Sequence, residues 1–142
     1  MSEQNKAVVR RVFENHWNMK NAALVSDLFA PTVTLHTPDG ALTGLEGASL
    51  LLQTYGQAFP DFHLAIEEMI AEADKVVVRY AFTGTHLGFL ADIPASGKRA
   101  AVSGITIFRV VDGRVTDGNF LWDKYALLQQ VGALGSTGAA LT

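Results

Sequence analysis

Hydrophobic positions follow helical spacing in the first third of the chain, and beyond Phe62 they mostly alternate as in strands. Between Glu3 and Asn18, Val8, Val9, Val12, Phe13, His16 and Trp17 form one stripe, with Glu3, Lys6, Arg10, Arg11 and Glu14 opposite. This predicts an amphipathic helix with Ser2 as its cap. Asn21 can cap a second, short helix whose buried stripe is Leu24, Val25, Leu28 and Phe29, and Pro31 is expected to end it. Thr32 to Thr37 is rich in β-branched residues and reads as a strand, followed by a turn at Pro38-Asp39-Gly40. Leu45 to Phe59 carries a third helical stripe through Ala48, Leu51, Leu52 and Tyr55, stopped by Pro60-Asp61. Four strands follow: Phe62–Ala71, Val76–Thr85, Arg99–Val111 and Arg114–Asp123, the last two joined by a hairpin turn at Asp112-Gly113. Leu127, Leu128 and Val131 give a short closing helix that ends at Gly132.

Helices gathered first and strands later indicate an α+β fold rather than alternating α/β. A curved antiparallel sheet wrapped around the early helices would enclose one pocket at its open end. Residues 1–134 are expected to form a single domain, and the small-residue tail at 135–142 to be mobile.

Composition narrows the functional classes. The chain has 142 residues, 49% hydrophobic and 18% charged, which suits a folded soluble protein with a real core. The net charge is −3 and no Lys/Arg run exists, so no nucleic-acid partner is expected. The absence of cysteine excludes disulfides, a thiolate nucleophile and a cysteine zinc site. No apolar run reaches the roughly 20 residues that cross a bilayer, and the polar N-terminus lacks a signal-peptide core. No membrane association and a cytoplasmic location are therefore the expectation.

The chemistry centres on Asp123, between an apolar strand and an apolar helix. Strand alternation puts Asn119, Leu121 and Asp123 on one face and Phe120 and Trp122 on the other. If the first face points inward, burial raises the Asp123 pKa and suits it to proton transfer near neutral pH. The competing role is N-cap of the last helix, and the two can coexist.

Other residues offer hydrogen bonds to a bound molecule: His36, His63, His86, Tyr55, Trp17 and Asn119. His36 precedes a turn in an apolar strand, as a pocket group or a structural histidine. His63 lies beside Asp61, either paired with it or catalytic. His86 ends a strand near Gly84 and Gly88, at a pocket mouth or in a loop hydrogen bond. His16, at the helix margin, reads as structural. Arg79 pairs with a carboxylate if it faces inward and is a surface charge if outward. Trp17, Tyr55, Phe59, Phe82 and Phe108 are most simply core residues, and a few of them can also wall a pocket for a planar hydrophobic ligand. Glu67 and Glu68, as neighbours in a strand, fall on opposite faces and form no paired-carboxylate site. The histidines lack metal-type spacing, so no metal is expected.

Several segments, taken in order, resemble the SnoaL-like polyketide cyclase and ester cyclase group, within the nuclear-transport-factor-two-like cone fold. They are Val33-Thr34-Leu35-His36-Thr37-Pro38, Phe59-Pro60-Asp61-Phe62-His63, Asp74-Lys75-Val76-Val77-Val78-Arg79-Tyr80, Thr83-Gly84-Thr85-His86, Ile93-Pro94-Ala95-Ser96-Gly97-Lys98, and Trp122-Asp123 before Leu127-Leu128-Gln129-Gln130-Val131-Gly132. The resemblance implies a cone with a deep pocket for a hydrophobic small molecule, and often a homodimer through the outer sheet face. It also implies a cofactor-free intramolecular aldol closure with a buried Asp as general acid/base, at the position of Asp123. One stretch departs from the family pattern: where Glu, any residue, then Trp is common, this chain has Asp117-Gly118-Asn119. An amide thus replaces an aromatic, and Asn119 becomes a candidate partner for a substrate carbonyl or for Asp123.

On the same cone an isomerase, dehydratase or epoxide hydrolase is also conceivable, as is a non-catalytic binding dimer. Epoxide hydrolysis requires Arg79 to face Asp123, and a dehydratase would use His36 or His63 with Tyr55. A binder predicts an Asp123 that is solvated or wholly engaged in capping.

Overall fold

The computed structural model describes residues 2–133, so the tail expected to be mobile lies outside the described residues. The chain opens with helix α1 (Ser2–Arg11), which widens without a break into a π-helical segment at Val12–Trp17. The stripe of that first helix repeats every four residues, and four residues overshoot a turn of α-helix by about 40°. The wider segment keeps Val12, Phe13, His16 and Trp17 all buried. A 3₁₀ turn at Ala22–Leu24, capped by the Asn21 side chain, leads into the single turn α2 (Val25–Leu28).

Strand β1 (Phe29–Thr37) begins earlier than expected. Pro31 does not end a helix; it sits within β1, near an irregularity in the pairing with β6 between Phe29 and Thr34, a place where proline is tolerated in a sheet. The expected turn at Pro38-Asp39-Gly40 opens a short hairpin, adding strand β2 (Gly40–Thr43) that the sequence pattern did not announce. Helix α3 (Gly44–Ala58) is followed by β3 (His63–Glu72), β4 (Lys75–Thr85), β5 (Arg99–Val111), β6 (Arg114–Trp122) and α4 (Lys124–Gln130).

One sheet runs in the order β2-β1-β6-β5-β4-β3, with β1 and β6 parallel and every other pair antiparallel. It curves without closing, and its concave face wraps the helices in an α+β cone. β5 alternates without exception: Ala100, Val102, Gly104, Thr106, Phe108 and Val110 are buried, and every residue between them is exposed.

Two bulges decide which side chains share a face. In β6 an extra residue falls between Val115 and Asp117, since Val110 pairs with Val115 and Arg109 with Asp117. One additional residue inverts the faces of everything beyond it. Val115 faces inward, but past the bulge the inward residues are Gly118, Phe120 and Trp122. The Asn119, Leu121 and Asp123 set therefore faces outward, which corrects the inward arrangement considered from alternation. In β3 a second shift between Ile66 and Glu68 leaves Glu67 and Glu68 both exposed on the outer face, not on opposite faces. Arg79 answers them both, with Nη1 2.9 Å from Glu67 and Nε 3.3 Å from Glu68.

Candidate functional site

The concave face holds a cavity of about 70 Å³ with almost wholly apolar walls. Every layer contributes. The π segment supplies Trp17, α3 supplies Leu51, Leu52 and Tyr55, and β3 with its approach supplies Phe62 and Leu64. Tyr80 and Phe82 project from β4, Val102 from β5, Phe120 and Trp122 from β6, and Leu127 of α4 covers one side. Aromatic rings lock this wall together edge to face: Trp17 on Phe13 at 4.8 Å, Tyr55 on Trp122 at 5.5 Å, and Phe120 on Trp122 at 6.1 Å.

Some lining side chains carry a polar group, Tyr55, Tyr80 and Trp122 among them. The Tyr55 hydroxyl donates to Asp39 Oδ2 at 2.7 Å, and Asp39 Oδ1 lies 2.6 Å from Lys124 Nζ. The β1–β2 turn, α3 and the first residue of α4 thus meet at one carboxylate. Burial, reinforced by the Asp39 carboxylate, pushes the Tyr55 phenol far above its ordinary range, so it stays protonated. The Tyr80 phenol is pushed up to about 12, chiefly by burial. Trp122 Nε1 is buried and has no hydrogen-bond partner.

Three of the residues singled out from sequence, Trp17, Tyr55 and Phe82, line the cavity. Phe59 and Phe108 are fully buried one layer behind: Phe59 packs on Phe82 at 5.2 Å and Phe108 on Phe120 at 5.6 Å. His36, His63, Arg79 and Asn119 are exposed on the outer side of their strands. His36 and Asn119 are direct neighbours there, through the parallel β1–β6 pairing.

Asp123 is exposed and caps α4, its Oδ1 accepting the Ala126 N–H at 2.9 Å. It is absent from the cavity lining, so the capping role is the one this geometry displays. Arg79 does not face Asp123, and neither His36 nor His63 meets Tyr55 in the cavity, so the arrangements that epoxide hydrolysis and dehydration would require are not assembled.

His86 is fully buried and pins the loop after β4, with Nδ1 2.9 Å from Ser96 Oγ and 3.2 Å from the Ser96 amide. His63 is not joined to Asp61, whose carboxylate instead accepts from the Thr85 backbone N–H at 2.7 Å and the Thr85 hydroxyl at 2.8 Å. Those bonds, led by the backbone one, hold the Asp61 carboxyl below its usual range. Among the described residues no three His, Asp or Glu side chains gather as a metal site, and no helix is long and apolar enough to cross a membrane.

Sequence reasoning missed Asp39, Lys124, Tyr80 and Trp122 as site residues. For Tyr80 and Trp122 a signal existed. Tyr80 continues the apolar alternation Val76, Val78, Phe82, and Phe120 with Trp122 makes a more hydrophobic set than Asn119 with Asp123. Asp39 read only as a turn residue, and its meeting with Tyr55 and Lys124 depends on tertiary packing.

The curved, unclosed sheet and the helices on its concave side define the cone fold of the nuclear-transport-factor-two-like class. A model of the SnoaL-like polyketide cyclase family matches residues 7–131, and the chain belongs to that family. Among solved structures it is similar to a candidate SnoaL-like polyketide cyclase from Jannaschia sp. CCS1, at 25% identity and a TM-score of 0.87, covering 94% of this chain and 95% of that one. TsrD from Streptomyces laurentii aligns at 26% identity and a TM-score of 0.83, over 93% and 97% of the two chains. IdmH from Streptomyces antibioticus, at 22% identity and a TM-score of 0.79 over 91% and 99%, shares the fold. Comparison with curated proteins finds no match.

Proposed function

We propose that the chain is a cofactor-free cyclase that closes a ring in a hydrophobic, polyketide-like substrate by intramolecular aldol chemistry. The observation that carries this reading is the apolar cavity on the concave face, with a carboxylate bonded to a lining phenol. An aldol closure takes a proton from carbon and returns one to the accepting carbonyl oxygen. Asp39, exposed and outside the cavity lining, serves as the base through Tyr55, a lining residue hydrogen-bonded to it that passes a proton between carboxylate and substrate. Lys124 Nζ, 2.6 Å from the other Asp39 oxygen, holds the carboxylate in place.

With a diketide or triketide ester as substrate, Asp39→Asn and Tyr55→Phe should each lower kcat by about 10²- to 10⁴-fold with the fold intact. Asp123→Asn should keep most of the activity. Full activity in Asp39→Asn together with its loss in Asp123→Asn would move the acid/base role to Asp123, where the family resemblance put it.

A second reading is a non-catalytic binder. It is favoured by one specific feature: the cavity lining contains no carboxylate and no imidazole. Ligand binding without turnover by the unmodified protein would support it.

The homodimer implied by the resemblance also has a surface to use. Ile105 and Ile107 of β5 and Leu121 of β6 stand exposed on the convex face, with Ile105 directly opposite Leu121. We assign this face to a second copy of the chain. Leu121→Glu should turn a sedimenting dimer into a monomer with unchanged thermal stability of the protomer, whereas a monomeric unmodified protein would refute the assignment.

A further inference from the structure

We propose that the cavity grips a short, oxygen-free hydrocarbon end of its ligand, while the polar part of the ligand stays at the rim beside Tyr55, Asp39 and Lys124. This rests on the cavity being the ligand site, and it names the portion of the ligand that the cavity selects.

The walls offer a ligand almost no polar surface. Tyr80 on β4 pairs with Gly104 on β5, and a Cβ at Gly104 would lie 2.5 Å from both the Tyr80 hydroxyl and Cζ. The Tyr80 ring therefore lies across the β5 backbone, with its hydroxyl against that strand and beside Thr106. Trp122 Nε1 is buried and closed off from the cavity. Tyr55 differs. Its ring lines the cavity, and its hydroxyl leaves the wall to reach Asp39, which is exposed and bridged to Lys124. The apolar interior and the polar rim thus meet opposite ends of one side chain.

An oxygen carried into the interior would lose its water and find no partner, a cost that hydrocarbon does not incur. Volume sets the second limit. An apolar cavity of about 150 Å³ holds one benzene ring. At about 70 Å³ this cavity is roughly half that size, with room for on the order of three to four carbons and not for an aromatic ring. In a ring closure the reacting carbonyls would then lie at the rim, where Tyr55 meets Asp39.

Both tryptophans of the chain, Trp17 and Trp122, line the cavity, so indole fluorescence reports its filling. The test titrates the protein with straight-chain alcohols from ethanol to n-octanol. Affinity should climb about fourfold per added CH₂ while the cavity fills, then level off near n-butanol or n-pentanol. Butanediol with a hydroxyl at each end should bind roughly tenfold or more weakly than n-butanol, because one hydroxyl would be buried unpaired. Benzyl alcohol should bind no more tightly than n-butanol despite its extra carbons. Leu127→Ala enlarges the cavity and should move the levelling-off to longer chains, and Val102→Leu should move it to shorter ones.

A steady climb through n-octanol, a preference for benzyl alcohol, equal affinity for the diol, no fluorescence response to any alcohol, or a limit unmoved in both variants would overturn the proposal. The alcohol series on the unmodified protein decides the matter even if a variant fails to fold. Because the readout is binding, it separates from the cyclase reading. Size-limited alkyl binding without turnover sinks only the enzyme, and turnover of a substrate whose every end carries an oxygen sinks only the grip.

Discussion

The inner and outer faces of the sheet are built from the same strands and follow different rules. Along β5 the inner residues are uniformly buried, while the intervening ones carry Arg99, Ser103, Ile105, Ile107 and Arg109 into solvent. The inner face concentrates aromatic rings, with Phe13 touching Trp17, Tyr80 and Phe108 at once. The outer face concentrates charge, and its ion pairs satisfy one another: Arg79 with Glu67 and Glu68, Arg109 with Asp74. Exposed ion pairs contribute little to stability, and buried rings contribute much. Polar residues that look like chemistry in the sequence mostly went outside, and the groups able to meet a ligand came from residues that look like core.

The largest expected effect comes from removing an inner ring. Phe13→Ala empties a fully buried site and should cost about 3–5 kcal/mol of unfolding free energy in urea titrations. A loss under about 1 kcal/mol would mean that the inner face is not the close-packed side.

A second effect separates the histidines by face. His16 and His86 are fully buried, and burial lowers both pKa values below the usual 6.5. The folded state therefore prefers them neutral, while the unfolded chain takes up protons from about pH 6.5 downward. Their contribution is complete above that pH and is lost as pH falls toward the folded values, at up to about 1.4 kcal/mol per pH unit for each residue. In His16→Gln the fall of stability between pH 7 and pH 5 should be shallower. A slope in His16→Gln equal to that of the unmodified protein would erase the distinction.

The smallest effect concerns the residue that alternation had made central. Asp123→Ala removes the α4 cap and should cost about 1 kcal/mol, while leaving the affinity of the cavity for a small hydrophobic ligand within twofold. A large loss of affinity would bring Asp123 back to the cavity.

Much of the fold was legible because period-2 and helical spacing are strong signals. Strands β3 to β6, the first helix, α3 and α4 follow the pattern to within a few residues. Less legible were features with no periodicity. A four-residue strand such as β2 carries too little pattern to see, and a proline in β1 reads as a stop unless the edge or irregularity that accommodates it is known. For the site, the decisive event was one extra residue in β6. Val115 faces inward as unbroken alternation requires, but beyond the bulge at Thr116 each side chain points the opposite way, and that is why Asp123 and Asn119 left the interior. Bulges carry no fixed sequence signature, so the direction of the strand end followed from hydrophobicity alone: two aromatics against an amide and a carboxylate.

The parallel pairing of β1 with β6 has a consequence for how the molecule is made. Phe29 meets Val115 and His36 meets Asn119, partners separated by more than eighty residues of chain. Closing so large a loop is entropically expensive and slows folding, so this contact is expected to form late. During synthesis the β1–β2 hairpin waits for β6 to leave the ribosome, while α1 can pack earlier on β3 and β4. Until β6 arrives, the cavity lacks the wall that Phe120 and Trp122 supply.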